Sequence, residues 1–298
     1  MIRALHFSDV HVYLPFRHFP AWSMLNKRAL GVANHVLKRS KRFEGAAGKL
    51  QCLADFAQAQ SVEWLLCTGD YTALGTPPEY EAALRALAPL LALDVPMATV
   101  PGNHDLYMPD TTSDRRFERF FGQFLHNDLP ELGLSGQSYP WVRLVGSELA
   151  LIGVNSARPN PQPWRSSGRI PQAELDALTK ILADPRVASR FVLILTHYAP
   201  RRADGRHDSR SHGLENVEAF LEVCRRGLRR GAVLHGHIHQ CYSLDVAGVR
   251  TFGAGSATDL HKEGFWLFEV DADCLRATPG EFVDGRYQLR TAGQVVLR

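Results

Sequence analysis

Between Val10 and Phe43 the chain has no aspartate and no glutamate. Arg17, Lys27, Arg28, Lys38, Arg39, Lys41 and Arg42 all fall in that interval, so the mild net charge of +3 over 298 residues conceals one strongly basic segment. CxxC spacing is absent as well. The five cysteines, Cys52, Cys67, Cys224, Cys241 and Cys274, are odd in number and widely spread, which excludes a disulfide framework and a cysteine-ligated zinc site and suits a reducing, cytoplasmic setting. No run is long and apolar enough to span a bilayer, and MIRALHFSDVH enters its first apolar run without the pattern of a signal peptide. Contact with a membrane is therefore expected only at its surface. No repeat, low-complexity tract or linker divides the chain, which reads as one domain over 1–298.

What is present alternates between two periods. Ile2–Phe7, Val62–Cys67, Val95–Val100, Leu149–Val154, Phe191–Leu195 and Ala232–Leu234 are short apolar runs expected to be buried strands. Helical spacing links Tyr80 to Leu91, Phe117 to Phe124 and Val217 to Leu228, and the alternation predicts an α/β fold. After His239 the pattern changes to short strands and turns, at Cys241–Val246, Val249–Phe252, Phe265–Val270 and Tyr287–Leu289, expected to add antiparallel strands.

The chemistry lies just past the apolar runs. The first is followed by Asp9 and His11, the second by Gly69 and Asp70, the third by Gly102, Asn103, His104 and Asp105. The run at Phe191–Leu195 is followed by His197, and that at Ala232–Leu234 by His235, Gly236, His237 and His239. Singly, each has an ordinary explanation, as a helix cap, a turn or a solvated histidine. Together they are hard to ascribe to packing, which never demands a carboxylate or an imidazole at the end of strand after strand. Loops beyond the carboxyl ends of strands in α/β proteins converge on one crevice. The set offers oxygen and imidazole donors without thiolate, which suits Mn, Fe or Zn. It holds more donors than one tetrahedral ion uses, so two ions are expected, an arrangement suited to phosphoester cleavage.

The ordered series Asp9-x-His11, Gly69-Asp70, Gly102-Asn103-His104-Asp105, His197 and Gly236-His237-x-His239 resembles the calcineurin-like metallophosphoesterase superfamily, with GAGSAT at Gly253–Thr258 and GFWLFEV at Gly264–Val270 resembling its closing strands. Tyr71 departs from the pattern, standing where many members carry an aliphatic residue. The resemblance implies a four-layer α/β/β/α sandwich of mixed sheets flanked by helices. It implies two divalent metal ions, one held by Asp9, His11 and His239, the other by Asn103, His197 and His237, with Asp70 bridging. It further implies that a metal-bridging hydroxide attacks phosphorus while His104 contacts the phosphoryl group or protonates the leaving oxygen, its ring oriented by Asp105. Gly69, Gly102 and Gly236 fit a site where backbone passes close to ions. His235 is left out of the ligand set. His207, His212 and His261 are expected to border the cleft, and Arg115, Arg116 and Arg158 could pair with phosphate.

The basic segment forms an insert at about 13–43. Leu25, Ala29, Val32, Ala33, Val36 and Leu37 keep helical spacing after Phe16, Phe19 and Trp22, so this stretch reads either as a helix on the protein's own core or as an amphipathic one meeting an anionic membrane surface through 16–42, at the inner face. Superfamily members suggest two substrate classes: a cyclic nucleotide, or a lipid-linked nucleotide such as UDP-2,3-diacylglucosamine, cut at its pyrophosphate. A nuclease of the same fold is a further alternative. Against nucleic acid, the basic residues are confined to one segment and do not interleave with aromatics along a groove. A non-catalytic scaffold should have lost ligands, yet every one is present.

Overall fold

The structure is a computed structural model and describes all residues except 13, 16, 17, 19–26, 35–41, 44 and 163, together with the backbone alone at 30 and 32–34. Along the chain run β1 (Ile2–Phe7), α1 (Lys27–Asn34), α2 (Ala46–Ala59), β2 (Trp64–Cys67), α3 (Pro77–Leu91), β3 (Met97–Thr99), α4 (Pro109–Ser113), α5 (Arg116–Phe121), β4 (Trp141–Val145) and β5 (Leu149–Gly153). There follow α6 (Gln172–Ala183), α7 (Pro185–Ala188), β6 (Phe191–Leu195), α8 (Val217–Gly227), β7 (Gly231–His235), β8 (Tyr242–Val246), β9 (Val249–Gly253), β10 (Phe265–Val270), β11 (Leu275–Val283), β12 (Arg286–Leu289) and β13 (Val295–Leu297).

Two mixed sheets result. The first has the order β12-β11-β10-β1-β2-β3, with β13 pairing β11; β1, β2 and β3 are parallel, and β10 joins β1 antiparallel with Ala4 opposite Phe268. The second has the order β4-β5-β6-β7-β9-β8, with β5, β6, β7 and β9 parallel. Central parallel strands are covered on both faces, which is why they read as continuous apolar runs such as FVLIL, buried throughout.

The sheets pack face to face. Phe252 of β9 meets the rings of Trp266 and Phe268 of β10 at 4.8 and 5.2 Å, and the indole N–H of Trp266 donates to Gly253 O. At the other end Trp141 of β4 donates to Thr99 O of β3. Paired helices α2 and α3 flank the first sheet, α6 and α8 the second, which gives the four expected layers. Tyr71, the departure from the family pattern, is fully buried: its hydroxyl bonds Thr99 Oγ1 at 2.6 Å and its ring stacks on Phe121.

Two expectations need correction. The strands after His239 are not all antiparallel additions, because β9 runs parallel to β7 and so carries its end to the same edge as the others. Also, α2, α6, β4, β11 and β13 went unread; in α2, AAGKLQCLADFAQA, small alanines blunt the apolar stripe that would announce a helix. Within the basic insert, the described residues dock on the protein. A Cβ at Gly31 of α1 would lie 2.3 Å from Leu74 and 2.9 Å from the Tyr107 hydroxyl, so the helix sits at backbone distance from its neighbours. Arg28 is buried and donates to Leu74 O and to both oxygens of Asp110. Phe16, Phe19 and Trp22 lie outside the described residues.

Candidate dinuclear metal centre

Every predicted ligand follows the carboxyl end of a parallel strand: Asp9 and His11 from β1, Asp70 from β2, Asn103 from β3, His197 from β6, His237 and His239 from β7. The chain turns sharply there. Asp9, His11, Asp70, His237 and His239 all have left-handed backbones, with φ between 36° and 68°. Each such non-glycine residue costs roughly 1–2 kcal/mol, a strain that collects at functional sites. Asp9 N–H and His11 N–H donate to Gly69 O and Asp70 O, so the two loops travel together. Close approach explains two glycines: a Cβ at Gly102 would fall 2.1 Å from Asp70 Oδ1, and one at Gly236 would fall 2.4 Å from Asp9 Oδ2.

Five of the seven side chains form two overlapping groups that share Asp9. Donor atoms of Asp9, His11 and His239 lie within 4.8 Å of one another, as do those of Asp9, Asp70 and His197. Asp70 Oδ2 stands between them, 3.6 Å from His11 Nε2 and 3.4 Å from His197 Nε2. Asn103 Oδ1 ties the rest in, 3.0 Å from His197 Nε2 and 2.9 Å from His237 Nδ1. The opposite nitrogens are held by the protein. His11 Nδ1 bonds Thr72 O, His197 Nδ1 bonds Thr68 O, His237 Nε2 bonds His212 O and His239 Nδ1 bonds Asp259 Oδ2. Such outer contacts fix which nitrogen faces an ion. His235, buried behind the cluster, stays out of both groups.

Burial by itself would raise the carboxyl of Asp9, but the adjoining His239 imidazole, with His197, holds it below the usual carboxylate range. Asp70 behaves alike, with burial overridden by His197, His104 and His11. Burial would lower His197 and His239, but Asp70 and Asp9 push His197 up to about 9 and Asp9 and Asp259 push His239 up to about 9, whereas burial takes His237 down to about 4. Asp9 Oδ1 is the informative atom. It is buried, has no hydrogen-bond partner among the described residues, and lies 3.1 Å from His239 Nε2 and 3.7 Å from His11 Nε2. An orphaned carboxylate oxygen facing two imidazole nitrogens fits a cation better than it fits a hydrogen-bond network.

Asp105 does not orient the ring of His104, contrary to expectation. Its oxygens accept the main-chain N–H groups of Asp70, Tyr71, Thr72 and Gly102, clamping the β2 and β3 loops together. The ring of His104 is held instead through Nδ1 by Ala73 O at 2.6 Å. That carbonyl belongs to a loop fixed by Glu79, which accepts from Ala73 N and Leu74 N and closes a capping box with Thr76 at the start of α3.

A cavity of about 860 Å³ opens over the cluster. Its walls include His104, Tyr107, Trp164, Lys27, Arg165 and Arg202. Of the histidines expected at the cleft, His212 lines it, His207 lines the adjoining pocket and His261 lies apart in an exposed position. The expected arginines are elsewhere: Arg116 is buried against Asp110 and Asp114, Arg158 pairs with Glu215, and Arg115 donates to Ser138 on the surface. Their places are taken by Lys27, Arg165 and Arg202, which no motif marks. Asp259 was also missed, although it follows β9 and the strand-end rule would have found it had that strand been read as parallel.

Residues 2–241, which span every predicted ligand from Asp9 to His239, match the family model described as calcineurin-like phosphoesterase. The chain belongs to that family. This phosphoesterase is 26% identical over 231 residues, 78% of its own length and 80% of the other's, to a probable cyclic nucleotide phosphodiesterase of Vesicomyosocius okutanii. It is 24% identical over 192 residues, 64% of its length and 68% of the other's, to a protein of the same description from Ruthia magnifica. Its fold is similar to that of a dimetal phosphatase from Danio rerio, with a TM-score of 0.65 at 14% identity, covering 99% and 98% of the two chains. The phosphoesterase is thus a metal-dependent phosphoric ester hydrolase, and its donor set fits two divalent ions. Such ions supply positive charge against phosphoryl oxygens and acidify water. Among the described residues no helix is long and apolar enough to cross a membrane.

Proposed function

We propose that the enzyme is a phosphodiesterase acting on a cyclic nucleotide. Asp9, His11 and His239 would hold one ion, Asn103, His197 and His237 the other, and Asp70 would serve both. Water adds across one ester P–O bond, its hydroxyl going to phosphorus and a proton to the departing ribose oxygen. His104 delivers that proton from Nε2, while the Nδ1–H bond to Ala73 O keeps the ring aimed.

The observation that carries the substrate class is the wall of the cavity. Lys27, Arg165 and Arg202 bring positive charge to its rim, and Trp164, 72% exposed, lines it with Tyr107, whose ring lies 4.7 Å from Lys27 Nζ. A largely exposed tryptophan at the mouth of a cationic cleft suits a nucleobase with its phosphate below. The relatives' descriptions as probable cyclic nucleotide phosphodiesterases support the same reading. Acyl chains are less well served: Ile238 is the one aliphatic side chain among the described lining residues. Mn-loaded enzyme in detergent, given cyclic AMP and UDP-2,3-diacylglucosamine in equal amounts, should release AMP by mass spectrometry. Release of UMP with cyclic AMP left intact would overturn the assignment.

A further inference from the structure

The end of the basic insert touches the metal cluster at two places. Asp259, whose carboxylate is fully buried, accepts from His239 Nδ1 at 2.8 Å and from Arg42 Nε at 2.9 Å, with a second bond from Arg42 Nη2. Lys262 Nζ lies farther off, 4.0 Å away. The loop carrying Asp259 is itself fixed: Asp259 N–H donates to Ser256 Oγ, which donates to Asp9 O at 2.6 Å, and Leu260 N–H donates to Arg42 O. The next residue of the insert, Phe43, is buried with its ring 5.1 Å from that of His11. Arg42 and Phe43 therefore brace the two imidazoles that flank Asp9. The contacts of the His197 and His237 rings among the described residues are with each other and with Thr68, Asp70, Asn103, Tyr198, Asp208 and His212, none of them in the insert.

We infer that Arg42 and Asp259 form a positioning pair that fixes the tautomer and ring orientation of His239, and that through it the insert sets the affinity of one of the two metal positions and not the other. The inference rests on the ligand assignment proposed above. A carboxylate accepting from the far nitrogen of a ligating histidine orients the ring and makes it a better donor, and losing such a partner typically costs roughly 10–100-fold in metal affinity. Arg42 adds a bidentate guanidinium behind that carboxylate, holding its plane. Asp259 lies beyond residues 2–241, which match the family model, in the loop after β9.

Isothermal titration of chelator-stripped enzyme with Mn(II) tests the pair directly, with no substrate present. Wild type should show two sites. Asp259→Asn should weaken one of them 10–100-fold and leave the other unchanged; Arg42→Ala, on a half-exposed side chain and so the safer variant for folding, should weaken the same site about 10-fold, with Arg42→Lys recovering part. Equal weakening of both sites, or no change in either variant, would overturn the inference. His239→Ala is the control that separates it from the ligand assignment. If His239→Ala loses one site and the brace variants keep both, the brace alone fails; if His239→Ala keeps both sites, the assignment fails and takes the brace with it.

Discussion

The main-chain N–H of His104 donates to Asp70 Oδ1 at 2.8 Å, so the carboxylate proposed to serve both ions also fixes the loop that carries the proposed proton donor. Its other oxygen faces His11 and His197. Asp70→Ala should therefore lose both functions together: bound metal well below two ions per chain by atomic emission, and turnover reduced more than about 100-fold, beyond the loss of an outer partner. A variant that still held two ions would show that Asp70 does not join the groups.

His104 should separate from the ligands when replaced. Its ring is anchored to Ala73 O and stacks against Tyr107, outside both donor groups. In His104→Ala the metal content should stay at the wild-type level while kcat on cyclic AMP falls about 10²–10⁴-fold, the usual reach of general acid catalysis. On a 4-nitrophenyl diester, whose leaving group needs no proton, the loss should be much smaller. Equal losses on both substrates would remove the proton-donor role.

How far the site could be read from sequence follows from the fold. Asp9, Asp70, Asn103, His197 and His239 were legible because strand ends are set locally, by a buried run followed at once by polar residues, and parallel strands gather those ends without further information. Asp105 was assigned the wrong role, since nothing in NHD distinguishes a carboxylate that touches a ring from one that gathers four backbone amides. Lys27, Arg165 and Arg202 come from three separate segments, and only tertiary packing brings them to one rim. The basic block misled for a related reason. Arg28 reads as a solvated charge on an amphipathic helix, yet it is buried, because a partner 82 residues away is waiting for it.

That partner, Asp110, anchors two buried guanidinium groups, Arg28 and Arg116, each 2.9 Å away. Arg28 is 1% exposed and Arg116 5%, so removing the carboxylate strands two cations away from water. Asp110→Ala should cost about 3 kcal/mol of stability, the low end for a broken buried pair, since Leu74 O still holds Arg28 while Gly75 O and Asp114 still hold Arg116. Guanidinium denaturation checks it: the midpoint should drop with an unchanged slope. A change below about 1 kcal/mol would mean that the insert is not anchored through this ion pair.

Lys27 gives the enzyme a pH dependence of its own. Its ammonium is half-buried, donates to Asn160 O and Arg165 O, and lies 4.7 Å from the centre of the Tyr107 ring. Burial lowers its pKa to about 8, so Lys27 is charged below that pH and neutral above it. An anionic diester entering the cavity meets one positive charge fewer once the pH passes 8. The KM for cyclic AMP should accordingly rise as pH climbs from 7 to 9, by about 5-fold if the contact contributes about 1 kcal/mol, while kcat changes less. Lys27→Gln should have the raised KM already at pH 7 and a flatter profile above it. Should Lys27→Gln keep the same rise between pH 7 and 9, the titrating group is another one, and Lys27 serves only to pin α1 to the wall of the cavity.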